Sequence, residues 1–257
     1  MSRALWIPDA LADHGLHVIR QANWDLRGDP DGFNPHGVVC HHTASNATAG
    51  NAPSLGICIN GRPDLPGPLC HVLLARDATA YVIASGRANH AGAGGWRGLS
   101  GNSSVLGIEV ENNGVGEPWT DQLLDAFARC CAALLEGMGD DTADYCCLHR
   151  EWAPTRKIDP AGPGFPQDGN AWRARVQAAL DNTGDLTIMD ADTRSYLDAH
   201  FLAQVIATKQ SELRIQKLIK RKFANDRERD AGLDQSIDAL AAEIDALQGQ
   251  LTDRPGA

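Results

Sequence analysis

Val38-Val39-Cys40-His41-His42-Thr43-Ala44 is the stretch on which the fold of this chain turns. Two β-branched residues and a cysteine run into two histidines and a threonine, as expected of a buried strand that delivers polar side chains at its end. Successive strand side chains alternate between faces, so His41 and His42 cannot both address one ligand from a regular strand. One of the pair is therefore available to a site, and the other faces away.

The segments around it share the same grammar of short apolar runs punctuated by Gly, Pro and Asn. Leu69 to Ala75 and Ala80 to Ala84 read as a strand pair across Arg76-Asp77, and Val105 to Glu111 as another strand. Thr120 can cap a helix in which Leu123, Leu124, Phe127, Cys130, Cys131, Leu134 and Leu135 recur at helical steps. Asn170 can cap a closing helix with Trp172, Val176 and Leu180 inward, and Asn182-Thr183-Gly184 supplies a stop. Residues 1–183 are thus expected to form one α/β domain.

Beyond it, residues 184–257 lose nearly all glycine and proline and favour continuous helix. Leu233, Ile237, Leu240, Ile244, Leu247 and Leu251 alternate steps of four and three, the spacing of a short coiled-coil seam. Two readings stand: the seam folds back on Leu202 to Phe223, or it joins copies of the chain into a homo-oligomer. Lys217, Lys220, Arg221 and Lys222 form a basic cluster that reads either as a solvated face or as a contact for an anionic polymer such as the cell wall.

A net charge of -10 over 257 residues argues against a protein that tracks nucleic-acid phosphates. The seven cysteines are an odd number, and Cys130/Cys131 and Cys146/Cys147 are sequence neighbours that bridge poorly, so reduced and mostly buried thiols are expected. No CxxC pair supports a cysteine zinc site. The start, MSRALWIPDALADHGLHVIR, lacks the look of a secretory signal, and no apolar run reaches the roughly 20 residues of a membrane span. Synthesis in a reducing cytoplasm is the expectation.

Chemistry gathers in three histidine-containing segments: His41-His42-Thr43-Ala44, Asn89-His90-Ala91-Gly92, and His149 followed by Lys157-Ile158-Asp159-Pro160. His14, His17, His36 and His200 read as structural histidines. Two imidazoles and one carboxylate are a common donor set for a catalytic zinc that keeps one position open to water. Asp159 precedes a proline, which favours extended backbone, and lies two residues after Lys157, so both side chains can face one cleft. Glu109 and Glu111 share a strand face, and periodicity does not say which of them serves as a base.

From about residue 36 to 180 the chain resembles the type 2 N-acetylmuramoyl-L-alanine amidases, a family that includes phage endolysins and peptidoglycan recognition proteins. The resemblance rests on Val38 to Ala44, His71 before Arg76-Asp77, His90-Ala91-Gly92, Leu106-Gly107-Ile108-Glu109-Val110-Glu111, and His149 through Pro160. It implies a central mixed β-sheet flanked by helices, to which the helical tail read from composition would be appended. It also implies zinc held by His41, His149 and Asp159, Glu109 as the catalytic carboxylate, and Lys157 over the substrate carbonyl. His71, His90, Asn89 and Trp96 become candidate walls of a peptidoglycan groove. Cys70 stands where some relatives carry a tyrosine, which points to the glutamate version of the mechanism. Arg76-Asp77-Ala78 replaces the usual Asp-Gly, so a different hairpin turn is expected.

The implied activity is cleavage of the amide between N-acetylmuramic acid and L-alanine, in a phage endolysin that waits in the host cytoplasm. Two alternatives are a recognition module that binds the wall without cutting it, and a virion-associated protein that opens the wall during infection.

Overall fold

In a computed structural model, which describes residues 3–181, 206, 209, 210, 213, 237–246 and 248, the Val38 stretch is a five-residue strand. The elements in chain order are α1 (Ile7–Asp13), β1 (Val18–Arg20), β2 (Val38–His42), α2 (Leu55–Asn60), β3 (Gly61–Arg62), β4 (Leu65–Pro66), β5 (Val72–Leu74) and β6 (Ala80–Val82). They continue with β7 (Gly95–Trp96), β8 (Leu99–Ser100), β9 (Leu106–Val110), α3 (Asp121–Gly137), β10 (Cys146–Leu148), α4 (His149–Trp152) and α5 (Gly169–Asp181). Six strands make one mixed sheet in the order β1-β6-β5-β9-β2-β10. Only β5 and β6 pair antiparallel within it.

Alternation along the strands gives the sheet two different faces. Val38, Cys40, Val72, Leu74, Leu106, Ile108, Val110, Cys146 and Leu148 pack on one face in a single cluster with Ile7 and Leu11 of α1, Phe127 and Leu134 of α3, and Trp172 and Val176 of α5. Burying each Leu or Phe of this kind stabilises the fold by roughly 2–3 kcal/mol. On the other face Val39 and Cys147 join Ala91 and Trp152, while Leu73 joins Cys58, Cys70 and Ile83. His41 and Glu109 belong to this second face, and they are register partners on adjacent parallel strands.

The caps show how sequence sets the helix starts. Thr120 accepts a hydrogen bond from the Leu123 amide at 3.2 Å, as its position before α3 predicts. At α5 the expected cap shifts: Asp168, not Asn170, accepts from a first-turn amide, that of Asn170 at 2.9 Å. The hairpin between β5 and β6 departs from an Asp-Gly turn as expected. Ala78 takes a φ of 68°, and the Asp77 carboxylate accepts from the Thr79 amide at 2.9 Å.

All seven cysteines are free and buried, in line with the sequence. Cys40, Cys131 and Cys146 meet under the sheet with Sγ separations of 3.5 and 3.6 Å, the contact distance of small apolar groups. Burial pushes the Cys40 and Cys131 thiols well above their ordinary range, which keeps them protonated.

The chain divides into two compact units, Met1–Thr187 and Ile188–Ala257. Within the second, Leu240 and Ile244 of the expected seam pack on Ile206 and Leu213, and Lys209 pairs with Glu243 at 2.8 Å. These contacts follow the fold-back pattern. Leu233, Leu247, Leu251, His200, the basic cluster at Lys217 to Lys222 and the boundary at residues 183–184 lie outside the described residues. Among the described residues no helix is long and apolar enough to cross a membrane.

Candidate active site

The ends of three neighbouring elements converge on the second sheet face. His41 is the fourth residue of β2, and Leu148 of β10 pairs with Cys40, so His149 at the start of α4 emerges directly beside His41. Asp159 comes from the loop after α4, which Arg150 pins through its amide to the Asp159 carbonyl at 2.8 Å and through its guanidinium to the Pro160 and Pro166 carbonyls. His42 points the opposite way, as alternation requires, and serves the same loop: its Nδ1 accepts from the Ala161 amide at 3.1 Å.

The three donor atoms face one another closely. His41 Nδ1 lies 2.8 Å from His149 Nδ1, His149 Nδ1 lies 2.9 Å from Asp159 Oδ2, and His41 Nδ1 lies 3.3 Å from that same oxygen. The outer ring nitrogens fix which protons are where. Ala91 O can only accept, so His149 Nε2, 3.0 Å away, carries the hydrogen. Val105 O likewise takes the Nε2 hydrogen of His90 at 3.2 Å, leaving His90 Nδ1 to accept from His41 Nε2 at 3.0 Å.

Burial lowers the His41 pKa to about 4, so that ring is neutral near pH 7. Its Nδ1 is then bare, so the close pair of inner nitrogens is satisfied either by a proton on His149 Nδ1 or by a cation between them. Burial would raise the Asp159 carboxyl, but His149 and His41, whose inner nitrogens face its Oδ2, hold it well below the usual carboxylate range. Two inward imidazole nitrogens and an ionised carboxylate at these separations fit a small divalent cation with bonds near about 2 Å. Among the described residues only one other trio of possible ligands lies as close together, the three cysteines on the far face.

Glu109, partner of His41 in the sheet, is partly buried, and its Oε2 has no hydrogen-bond partner among the described residues. Burial, reinforced by the neighbouring Cys58 and Asp159, raises its pKa well above the ordinary value, with Lys157 opposing. Glu111 is different. It is fully buried, and its carboxylate accepts from the Ser54 amide at 2.7 Å and from the hydroxyls of Thr43 at 2.8 Å, Ser45 at 2.5 Å and Ser54 at 3.1 Å. That set makes Glu111 the anchor of the loop after β2 and leaves Glu109 as the uncommitted acid. Lys157 is partly buried, two residues before Asp159, while Ile158 between them points outward at 73% exposure.

The expected groove walls sit differently. His71 is fully buried, stacks on Phe33 with centroids 5.4 Å apart, and takes the Gly107 amide on its Nδ1 at 2.9 Å, so it packs the interior and reaches no surface. His90 uses both ring nitrogens inside the protein, and Asn89 donates to Pro66 O at 2.9 Å. Trp96 donates to Asp144 O at 2.8 Å, with Arg173 4.8 Å from its ring centroid. Asn102 escaped the sequence reading. Its Oδ1 accepts from the amides of His90, Ala91 and Gly92 at 3.2, 2.8 and 3.3 Å, a role for which a lone Asn in a Gly-Asn-Ser-Ser loop gives no distinct signal.

The profile of the N-acetylmuramoyl-L-alanine amidase family matches residues 31–162, just over half of the 257-residue chain. The chain belongs to that family. Its enzymatic activity is accordingly that of an N-acetylmuramoyl-L-alanine amidase, with peptidoglycan as the substrate. The matched span of the amidase contains His41, His90, Glu109, His149, Lys157 and Asp159. No curated protein matches the amidase by sequence. Among solved structures it is similar to a selenomethionine derivative of AmpD, at 25% identity and a TM-score of 0.44 over 64% of this chain and 93% of that one. It is also similar to the endolysin LysCS, an N-acetylmuramoyl-L-alanine amidase from Clostridium intestinale, at 20% identity and a TM-score of 0.44 over 64% and 95%. The catalytic domain of XlyA aligns at 17% identity and a TM-score of 0.43 over 63% and 99%.

Proposed function

We propose that the amidase hydrolyses the bond between the lactyl group of N-acetylmuramic acid and the first L-alanine of the stem peptide, using zinc held by His41, His149 and Asp159. The observation that supports this most is the meeting of two inward imidazole nitrogens and one ionised carboxylate at 2.8 to 3.3 Å. Two nitrogens and one oxygen are donors that zinc accepts while keeping a position open. When bound, the ion supplies Lewis acidity that lets water ionise near neutral pH and polarises a carbonyl.

The chain's own residues do the rest. Glu109, with an unpaired oxygen and a raised pKa, takes the proton of the attacking water and returns it to the departing alanine nitrogen. Lys157 stabilises the negative oxygen that develops on the scissile carbonyl. His41 and His149 hold position, since their outer nitrogens are engaged by His90 and Ala91. Contact of the glycan with Trp96 and Asn89, which keep part of their surface exposed, belongs to the same proposal. So does the biological setting, a phage endolysin held in the host cytoplasm, which follows from the resemblance to a family that includes such lysins.

Digestion of purified sacculi tests the reaction. Mass spectrometry should find free stem peptides beginning at L-alanine beside intact glycan, and Glu109→Ala should retain zinc while losing activity by about 10²-fold or more. Full activity in Glu109→Ala would remove its proposed role.

A further inference from the structure

Both ligand histidines are held from behind by one short segment. His41 Nε2 donates to the His90 ring at 3.0 Å, and His149 Nε2 donates to the carbonyl of the next residue, Ala91, at 3.0 Å. The segment is itself fixed on two sides. The Asn102 side chain gathers the amides of residues 90, 91 and 92, and the Arg156 guanidinium donates to the Ala91 and Ala93 carbonyls at 2.9 and 2.8 Å.

The His90 ring lies directly against the backbone of β9. A Cβ on Gly107 would stand 2.4 Å from its Nδ1 and 2.5 Å from its Cγ, so β9 needs a glycine where the ring crosses it. The ring also meets His71 edge-on with centroids 5.5 Å apart, and His71 rests on Phe33. From Phe33 through His71 and His90 to His41 and His149, five rings form one continuous column.

We infer that His90, held by Asn102 and accommodated by Gly107, is a positioning residue for the metal centre. It fixes the tautomer of His41 so that Nδ1, not Nε2, meets the ion, while the adjacent Ala91 carbonyl does the same for His149. Outer partners of ligating histidines orient the ring and raise its basicity, and their loss commonly weakens metal binding by about 10- to 100-fold. His90 therefore acts through His41, without touching substrate. This rests on the zinc assignment proposed above.

Zinc affinity of the metal-stripped full chain, measured by competition with a chromophoric chelator, tests the inference. The parent should bind one equivalent and His41→Ala none. His90→Ala and Asn102→Ala should each bind about 10- to 100-fold more weakly. His90→Asn should stay close to the parent, because its Oδ1 can take the place of Nδ1 as acceptor for His41. Equal affinity of His90→Ala and the parent would overturn the inference, and so would a His90→Asn as weak as His90→Ala. Should His90→Ala fail to fold, Gly107→Ala carries the test: its new Cβ must displace the ring, and unchanged affinity there also overturns the inference. A parent that binds no zinc takes down the zinc assignment and this inference together, whereas a tight parent with insensitive variants sinks the inference alone.

Discussion

Acidification should destabilise the amidase through His71, a residue outside the reaction itself. Burial holds its imidazole pKa at about 3 against an ordinary 6.5. The folded ring therefore stays neutral while the unfolded one takes up a proton as pH falls through 6.5, so stability is full above that value and is lost progressively down to about 3. Linkage gives about 1.4 kcal/mol per pH unit across that window, or about 2.5 kcal/mol between pH 7 and pH 4.5. The matched control is His71→Asn, whose Oδ1 can still accept from the Gly107 amide but does not titrate. Urea unfolding of both proteins at the two pH values, in chelator, isolates the effect because the other titrating groups cancel. The parent should lose about 2.5 kcal/mol more than His71→Asn. Equal losses would refute the claim that a neutral, desolvated ring sits at this position.

Glu111→Ala should lower stability by about 3–5 kcal/mol in urea unfolding, since it strips a fully buried carboxylate from four donors, whereas Glu109→Ala should leave stability nearly unchanged. A thiol reagent should find none of the seven cysteines reactive in the native amidase and all seven in denaturant, and fast native labelling would contradict their burial.

Much of this architecture can be read from the chain because it depends on period-two alternation. Val38 and Cys40 must face the helices if His41 is to face the site, and the same rule puts Glu109 on the shared face. Alternation has no power to separate Glu109 from Glu111, which lie two residues apart. Only the loop that brings Thr43, Ser45 and Ser54 onto Glu111 separates them, and that loop is tertiary structure. The helix start at α5 was readable to within two residues, because Asp168 and Asn170 are equally good caps by composition.

The polar residues behind the ligands were the least readable. His90 in a Gly-rich loop looks like a surface histidine, and only the glycine at 107 makes space for its ring under the strands. His71 follows the same logic, since nothing local to Cys70-His71-Val72 says that Phe33, far off in sequence, covers it. Asn102 exerts its effect through three backbone amides, which leave no trace in side-chain patterns.

X-ray absorption at the zinc edge of the purified amidase addresses the metal assignment most directly, because the two trios of possible ligands differ in their donor atoms. One zinc per chain in a shell of nitrogen and oxygen at about 2.0–2.2 Å, abolished by His41→Ala, is the expected result. Sulfur scattering at about 2.3 Å, or an amidase that cleaves the wall at full rate without bound metal, would contradict it.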